Sequence, residues 1–107
     1  MAITEVDVLE LADALSAGAR LIDVRETDEY QDGHVPGAQL VMLATVPDNV
    51  DQFGGPGPTY VICRSGGRSM QACRYLDENG FHVVNVAGGT LAWIASGREV
   101  VSGAHPT

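Results

Sequence analysis

Apolar side chains at Val8, Leu11, Ala12 and Leu15 recur at helical spacing, with Asp7 placed to cap the first turn and Gly18 to end the last. A first helix is expected over Val8 to Ala17. Leu21, Ile22 and Val24 then form a short apolar run interrupted only by Asp23, the pattern of a strand covered on both faces, ending near Arg25. Thr27 can cap a short acidic turn through Tyr30 that Asp32 and Gly33 close. Gly33-His34-Val35-Pro36-Gly37-Ala38 has turn chemistry and leads into a second apolar run, Leu40 to Leu43, expected to be a strand. Pro47-Asp48-Asn49 can start a further short helix, and Phe53 to Pro58, with three glycines and two prolines, can only be a loop. Tyr60-Val61-Ile62 reads as the third strand, Ser69 to Asn79 as a helix stopped by Gly80, Val83, Val84 and Val86 as the fourth strand, and Leu91 to Ala95 as a last helix after Gly88-Gly89. Strands alternating with helices predict an α/β fold: a mainly parallel central sheet, helices on both faces, and ligands at the carboxyl ends of the strands.

The chain has 107 residues, within the span of a single domain, so 1–107 is read as one unit with residues 102–107 as a frayed tail. Fourteen acidic residues against six basic ones give a net charge of −8, the wrong sign for gripping a phosphate backbone, so nucleic acid is not an expected partner. All six bases are arginines, which excludes lysine chemistry such as a Schiff base or a Walker-type phosphate loop. Cys63 and Cys73 stand ten apart with no C-x-x-C, too few for a zinc ribbon even with three scattered histidines, so no metal is expected. The acidic, amphipathic N-terminus and the shortness of the apolar runs suggest a cytoplasmic chain with no membrane partner.

The chemistry concentrates in Val61-Ile62-Cys63-Arg64-Ser65-Gly66-Gly67-Arg68-Ser69, where a strand ends on a cysteine, passes through a Gly-rich loop and enters a helix. Backbone N–H groups in such a loop, the positive end of a helix dipole and two arginines make an anion cradle, and a thiol there ionises easily. Cys63 is therefore the candidate nucleophile. Asp23, Arg25 and Glu29 are read first as structural charge partners, His34 as a turn-ordering residue and Trp93 as core. Cys73 shares a helix face with Met70 and Leu76, about 10 Å along the axis from the loop, and reads as a small buried hydrophobe rather than a resolving thiol.

Five ordered stretches carry a resemblance: Leu21 to Arg25 with Glu29-Tyr30, Gly33 to Ala38, the Cys63 to Ser69 loop, Gly80-Phe81, and Gly88-Gly89 with Trp93. Together they resemble the single-domain rhodanese, or thiosulfate sulfurtransferase, family over nearly the whole chain. The resemblance implies a rhodanese-like fold and a Cys63 persulfide. Sulfane sulfur would move from a small donor anion such as thiosulfate to a thiol or cyanide acceptor, with no metal or organic cofactor. Arg64, Ser65, Gly66, Gly67, Arg68 and Ser69 would form the anion-binding loop. A second reading is a relay module that passes sulfur only to a protein partner. A small phosphatase or arsenate reductase fits less well. Those relatives of the fold use Cys-x5-Arg, whereas only four residues separate Cys63 from Arg68 and the longer loop's arginine position holds Ser69.

Overall fold

The computed structural model describes residues 2–107. Five strands, β1 (Thr4–Val6), β2 (Arg20–Asp23), β3 (Gln39–Leu40), β4 (Thr59–Ile62) and β5 (Val83–Val86), form one sheet in the order β1-β5-β4-β2-β3, with every pairing parallel. Four α-helices, α1 (Val8–Ser16), α2 (Thr27–Asp32), α3 (Gly67–Glu78) and α4 (Gly89–Ala95), alternate with them. Successive strand side chains point to opposite faces, and two cores result. Ile22, Val24, Val61 and Cys63 pack with Ala72, Cys73 and Leu76 of α3 on one side. Leu21, Ile62 and Val86 pack with Leu11 of α1, Tyr30 of α2 and Trp93 of α4 on the other. Fully burying a side chain such as Leu76 or Ile62 contributes about 1.5–3 kcal/mol, so the layers on both faces stabilise the sheet between them. The expected architecture is present, and the middle strand, β4, delivers Cys63 at its carboxyl end.

Several boundaries differ from expectation. β1 was not anticipated: three residues at a sheet edge carry too little periodicity to register, and their order comes from pairing with β5. The strand expected over Leu40 to Leu43 is only Gln39–Leu40; from Leu43 the chain turns into a 3-10 helix, Leu43–Asp48, which contains Pro47, and a second follows at Val50–Phe53. Val41 and Val46 are buried all the same, because the turn, not a strand, lays them on the sheet. α2 is preceded by Glu26 rather than capped by Thr27, and α3 starts at Gly67, two residues before the expected Ser69.

The expected frayed tail is instead tied down. Val101 pairs with His34 in both directions at 2.9 Å, Gly103 N–H donates to the Gln31 carbonyl at 2.8 Å, and Gly37 N–H donates to the Pro106 carbonyl at 2.9 Å. His34 is fully buried, stacked on Tyr30 at 3.6 Å, with its ring nitrogens 2.8 Å from the Tyr30 carbonyl and 2.9 Å from the His105 carbonyl. Its place is structural: it staples the tail to the turn that follows α2. Among the described residues no helix is long and apolar enough to cross a membrane.

Candidate active site

Local sequence makes the loop. β4 ends at Ile62, and the chain must leave the sheet and enter α3 within four residues, which Gly66 allows by taking φ +110° at the helix N-cap. The loop closes around the cysteine sulfur. Gly66 N–H donates to Cys63 Sγ at 3.1 Å and the Ser69 hydroxyl donates to it at 3.3 Å. Burial pushes the Cys63 thiol up, but hydrogen bonds from the Ser69 side chain and from the backbone N–H groups of Ser69, Gly66 and Ser65 outweigh it, and the net shift is downward. Cys73 has the opposite environment. It is buried in the apolar layer under α3 with no such donors, and burial pushes its thiol up to about 12.

Arg68, the second residue of α3, reaches across to α2. Its Nη1 and Nη2 donate to Glu29 Oε1 and Oε2 at 2.6 and 2.8 Å, a forked pair, and Glu29 Oε1 also accepts the Glu26 N–H at 3.1 Å. The Arg68 guanidinium holds the Glu29 carboxyl at about 2, against an ordinary 4.5. Asp23 and Arg25 form a separate pair. Asp23 Oδ2 accepts Arg25 Nη2 at 2.8 Å, both side chains are buried, and Arg25 Nη2 also donates to the Gly33 carbonyl at 2.9 Å. That pair joins the end of β2 to the turn after α2, one strand away from the sulfur, and does not touch it. Of the expected residues, then, Ser65, Gly66 and Ser69 surround Cys63 directly. Gly67 and Arg68 begin the helix behind it, and Glu29 anchors Arg68. Arg64 is exposed and makes no side-chain hydrogen bond or ion pair among the described residues. It borders a groove of about 260 Å³ shared with Glu29, Thr90, Leu91 and Ile94.

The pair has a pH signature. A carboxyl whose folded value is depressed adds stability that is fully present above its unfolded value and is lost as pH falls through the folded one. Melting temperature is therefore expected to drop between about pH 4.5 and 2 more steeply in the parent than in Glu29→Gln, which lacks the charge throughout. Parallel pH profiles for the two would show that the fork contributes nothing.

Sequence reasoning missed the group that clamps the loop from behind. Thr90 N–H and Oγ1–H both donate to the Cys63 carbonyl, at 2.9 and 3.0 Å, and Leu91 N–H donates to the Arg64 carbonyl at 3.0 Å. The first turn of α4 thus seats the backbone of Cys63 and Arg64. The Gly88-Gly89 doublet reads as a turn and as part of the family resemblance, and its adjacency to a threonine at a helix start is the one local signal of this clamp. Asn85 and Glu5 were missed as well, and no local pattern marks them. At the opposite ends of the strands lies a larger depression, about 420 Å³, but the Arg20 guanidinium on its wall is already engaged by the carbonyls of Gly54, Pro56 and Gly57.

A buried, easily ionised sulfur ringed by N–H and O–H donors can attack an electrophile and hold a second anionic atom after it. The chain is similar to known proteins in sequence and fold. The pattern of the rhodanese-like domain family matches residues 7–96. YtwF of Bacillus subtilis, whose name assigns it provisionally to the sulfurtransferases, is 40% identical over 95 residues, 87% of this chain and 92% of its own. The thiosulfate sulfurtransferase GlpE of Pseudoalteromonas translucida is 33% identical over 82 residues, 76% of this chain and 78% of its own. A crystal structure of a rhodanese-like domain protein from Staphylococcus aureus superposes with a TM-score of 0.80 at 34% identity, covering 85% of this chain and 91% of that one.

Proposed function

Since the chain belongs to the rhodanese-like domain family, whose similar members include named sulfurtransferases, we propose that it transfers a sulfane sulfur through a persulfide on Cys63, with thiosulfate or a similar anion as donor. The observation that carries this reading is the ring of donors on Cys63 Sγ, with Gly66 N–H at 3.1 Å and Ser69 Oγ at 3.3 Å. The Cys63 thiolate attacks the outer sulfur of thiosulfate. A new S–S bond forms, the donor's own S–S bond breaks, and sulfite leaves with the bonding pair. The persulfide keeps one negative charge on its outer sulfur, which the loop N–H groups stabilise. Cyanide or a thiolate then takes that outer sulfur and returns the Cys63 thiolate, so one difficult displacement becomes two. Arg64, exposed and unpaired at the groove, binds the donor's anionic end. Arg68, locked to Glu29, fixes the loop and is not free to bind substrate.

The four-residue spacing from Cys63 to Arg68 supports sulfur over a tetrahedral oxyanion, because the shorter ring leaves room for one added atom rather than four. Intact mass before and after thiosulfate, followed by cyanide, is the test. A gain of one sulfur that cyanide removes as thiocyanate is expected. An unchanged mass, with turnover of a phosphate ester or arsenate, would overturn the reading. Sulfur gained but released only to a protein thiol would favour the relay module over the free enzyme.

A further inference from the structure

Asn85, on β5, lies beneath the active-site loop and is 1% exposed. Its Nδ2 donates to Glu5 Oε2 at 2.8 Å and to the Gly66 carbonyl at 3.3 Å, while its Oδ1 is buried without a hydrogen-bond partner among the described residues. Two acceptors in front of one amide end fix its orientation, since the flipped amide would set oxygen against a carboxylate and a carbonyl. Buried acceptors are nearly always satisfied, so an amide held in the one orientation that orphans its oxygen is held there by what its nitrogen does.

What the nitrogen does bears on the sulfur. The Ser69 hydroxyl stands 3.3 Å from Cys63 Sγ and 3.2 Å from the Gly66 carbonyl, yet it has a single hydrogen to give. The same carbonyl also accepts Met70 N–H at 3.1 Å. With Asn85 supplying a further donor, the carbonyl does not need the serine, and the hydroxyl hydrogen is available to the thiolate. We infer that Asn85, oriented by Glu5, is a positioning residue that satisfies the Gly66 carbonyl and so directs the Ser69 hydrogen onto Cys63. The Glu5 carboxylate strengthens the arrangement by taking the other amide hydrogen in a charge-assisted bond. Edge strand β1 thereby reaches the active site through β5, by a bond between residues 80 apart in sequence.

This inference rests on Cys63 being the sulfur carrier, and its test does not depend on any sulfur donor. The pH profile of Cys63 alkylation by iodoacetamide, read by mass on the full chain, reports the thiolate directly. Asn85→Ala and Asn85→Thr are expected to raise the midpoint by roughly 0.5–1 pH unit, and so to slow alkylation by about 3–10-fold at pH values well below the parent's midpoint. Glu5→Ala, at an exposed edge where folding is not at stake, is expected to shift it the same way by less. The deciding comparison repeats each substitution in Ser69→Ala. If Asn85 acts through the serine hydrogen, its substitution should then move the midpoint hardly at all, whereas a residue that only packs beneath the loop would move it equally in both backgrounds. Melting temperatures identify which variants are folded. An equal shift with and without Ser69, or an unshifted midpoint in every folded variant including Glu5→Ala, would overturn the proposal. Failure of the parent to take up sulfur from thiosulfate would instead sink the proposed function and leave this comparison standing.

Discussion

Cys63→Ser is expected to take up no sulfur from thiosulfate, whereas Cys73→Ala should retain most of the parent's uptake while melting lower. The two cysteines are ten residues apart in sequence and share one apolar layer, yet their environments push their thiols in opposite directions. At Cys63, donors from Ser65, Gly66 and Ser69 favour the thiolate, the form that attacks sulfur. A serine hydroxyl in the same ring fits sterically but does not ionise near neutral pH and forms no persulfide. At Cys73, burial pushes the thiol up to about 12, so the thiolate is disfavoured at neutral pH, and the side chain is buried from solvent. Truncation to alanine removes one buried sulfur, at a cost of about 1–2 kcal/mol for the small cavity left behind. Uptake and loss of iodoacetamide labelling should therefore follow Cys63 alone. Comparable loss of uptake in both variants, with Cys73→Ala still folded, would show that sulfur passes through both thiols.

The second large effect concerns Gly89, a residue that touches no substrate. It has φ +59°, and a Cβ added there would lie 2.6 Å from both the Cys63 and the Arg64 carbonyl oxygens. Both obstacles are backbone, so no side chain can swing aside. Moving them means breaking the Thr90 and Leu91 hydrogen bonds that seat the loop on α4. Left-handed backbone costs a non-glycine residue about 1–2 kcal/mol, and overpacking adds about 1–3, so Gly89→Ala should be destabilised by roughly 2–5 kcal/mol. Sulfur uptake by the fraction that remains folded should fall too, because the ring around Sγ can no longer close. Gly67→Ala is the contrasting case: a Cβ there meets nothing within 4 Å and the residue is helical, so it should melt no lower than the parent. Parent-like melting and sulfur uptake in Gly89→Ala would show that the loop does not depend on α4 for its shape.

The sequence by itself was enough for whatever is encoded within a few neighbouring residues. The apolar spacing of α1 and α3, the buried runs of β2, β4 and β5, and the strand-cysteine-glycine-helix order around Cys63 all depend on local periodicity and on backbone freedom, which nearby residues set. It also marked Asp23 and Glu29 as structural charge partners, without saying which of them Arg68 would meet. That choice was made when α2 and α3 were brought to the carboxyl edge of one sheet, which put Glu29 within 2.8 Å of a guanidinium 39 residues away and left Asp23 to Arg25. β1 exists because β5 offers it an edge, the tail is held because buried His34 faces its carbonyls, and Thr90 meets Cys63 because α4 packs beside β4. None of these pairings has a sequence period, because each joins groups distant along the chain whose hydrogen-bonding needs are met only once the layers have stacked. The loop that carries Cys63 was legible from its own residues; which groups hold that loop in place was decided by the tertiary structure.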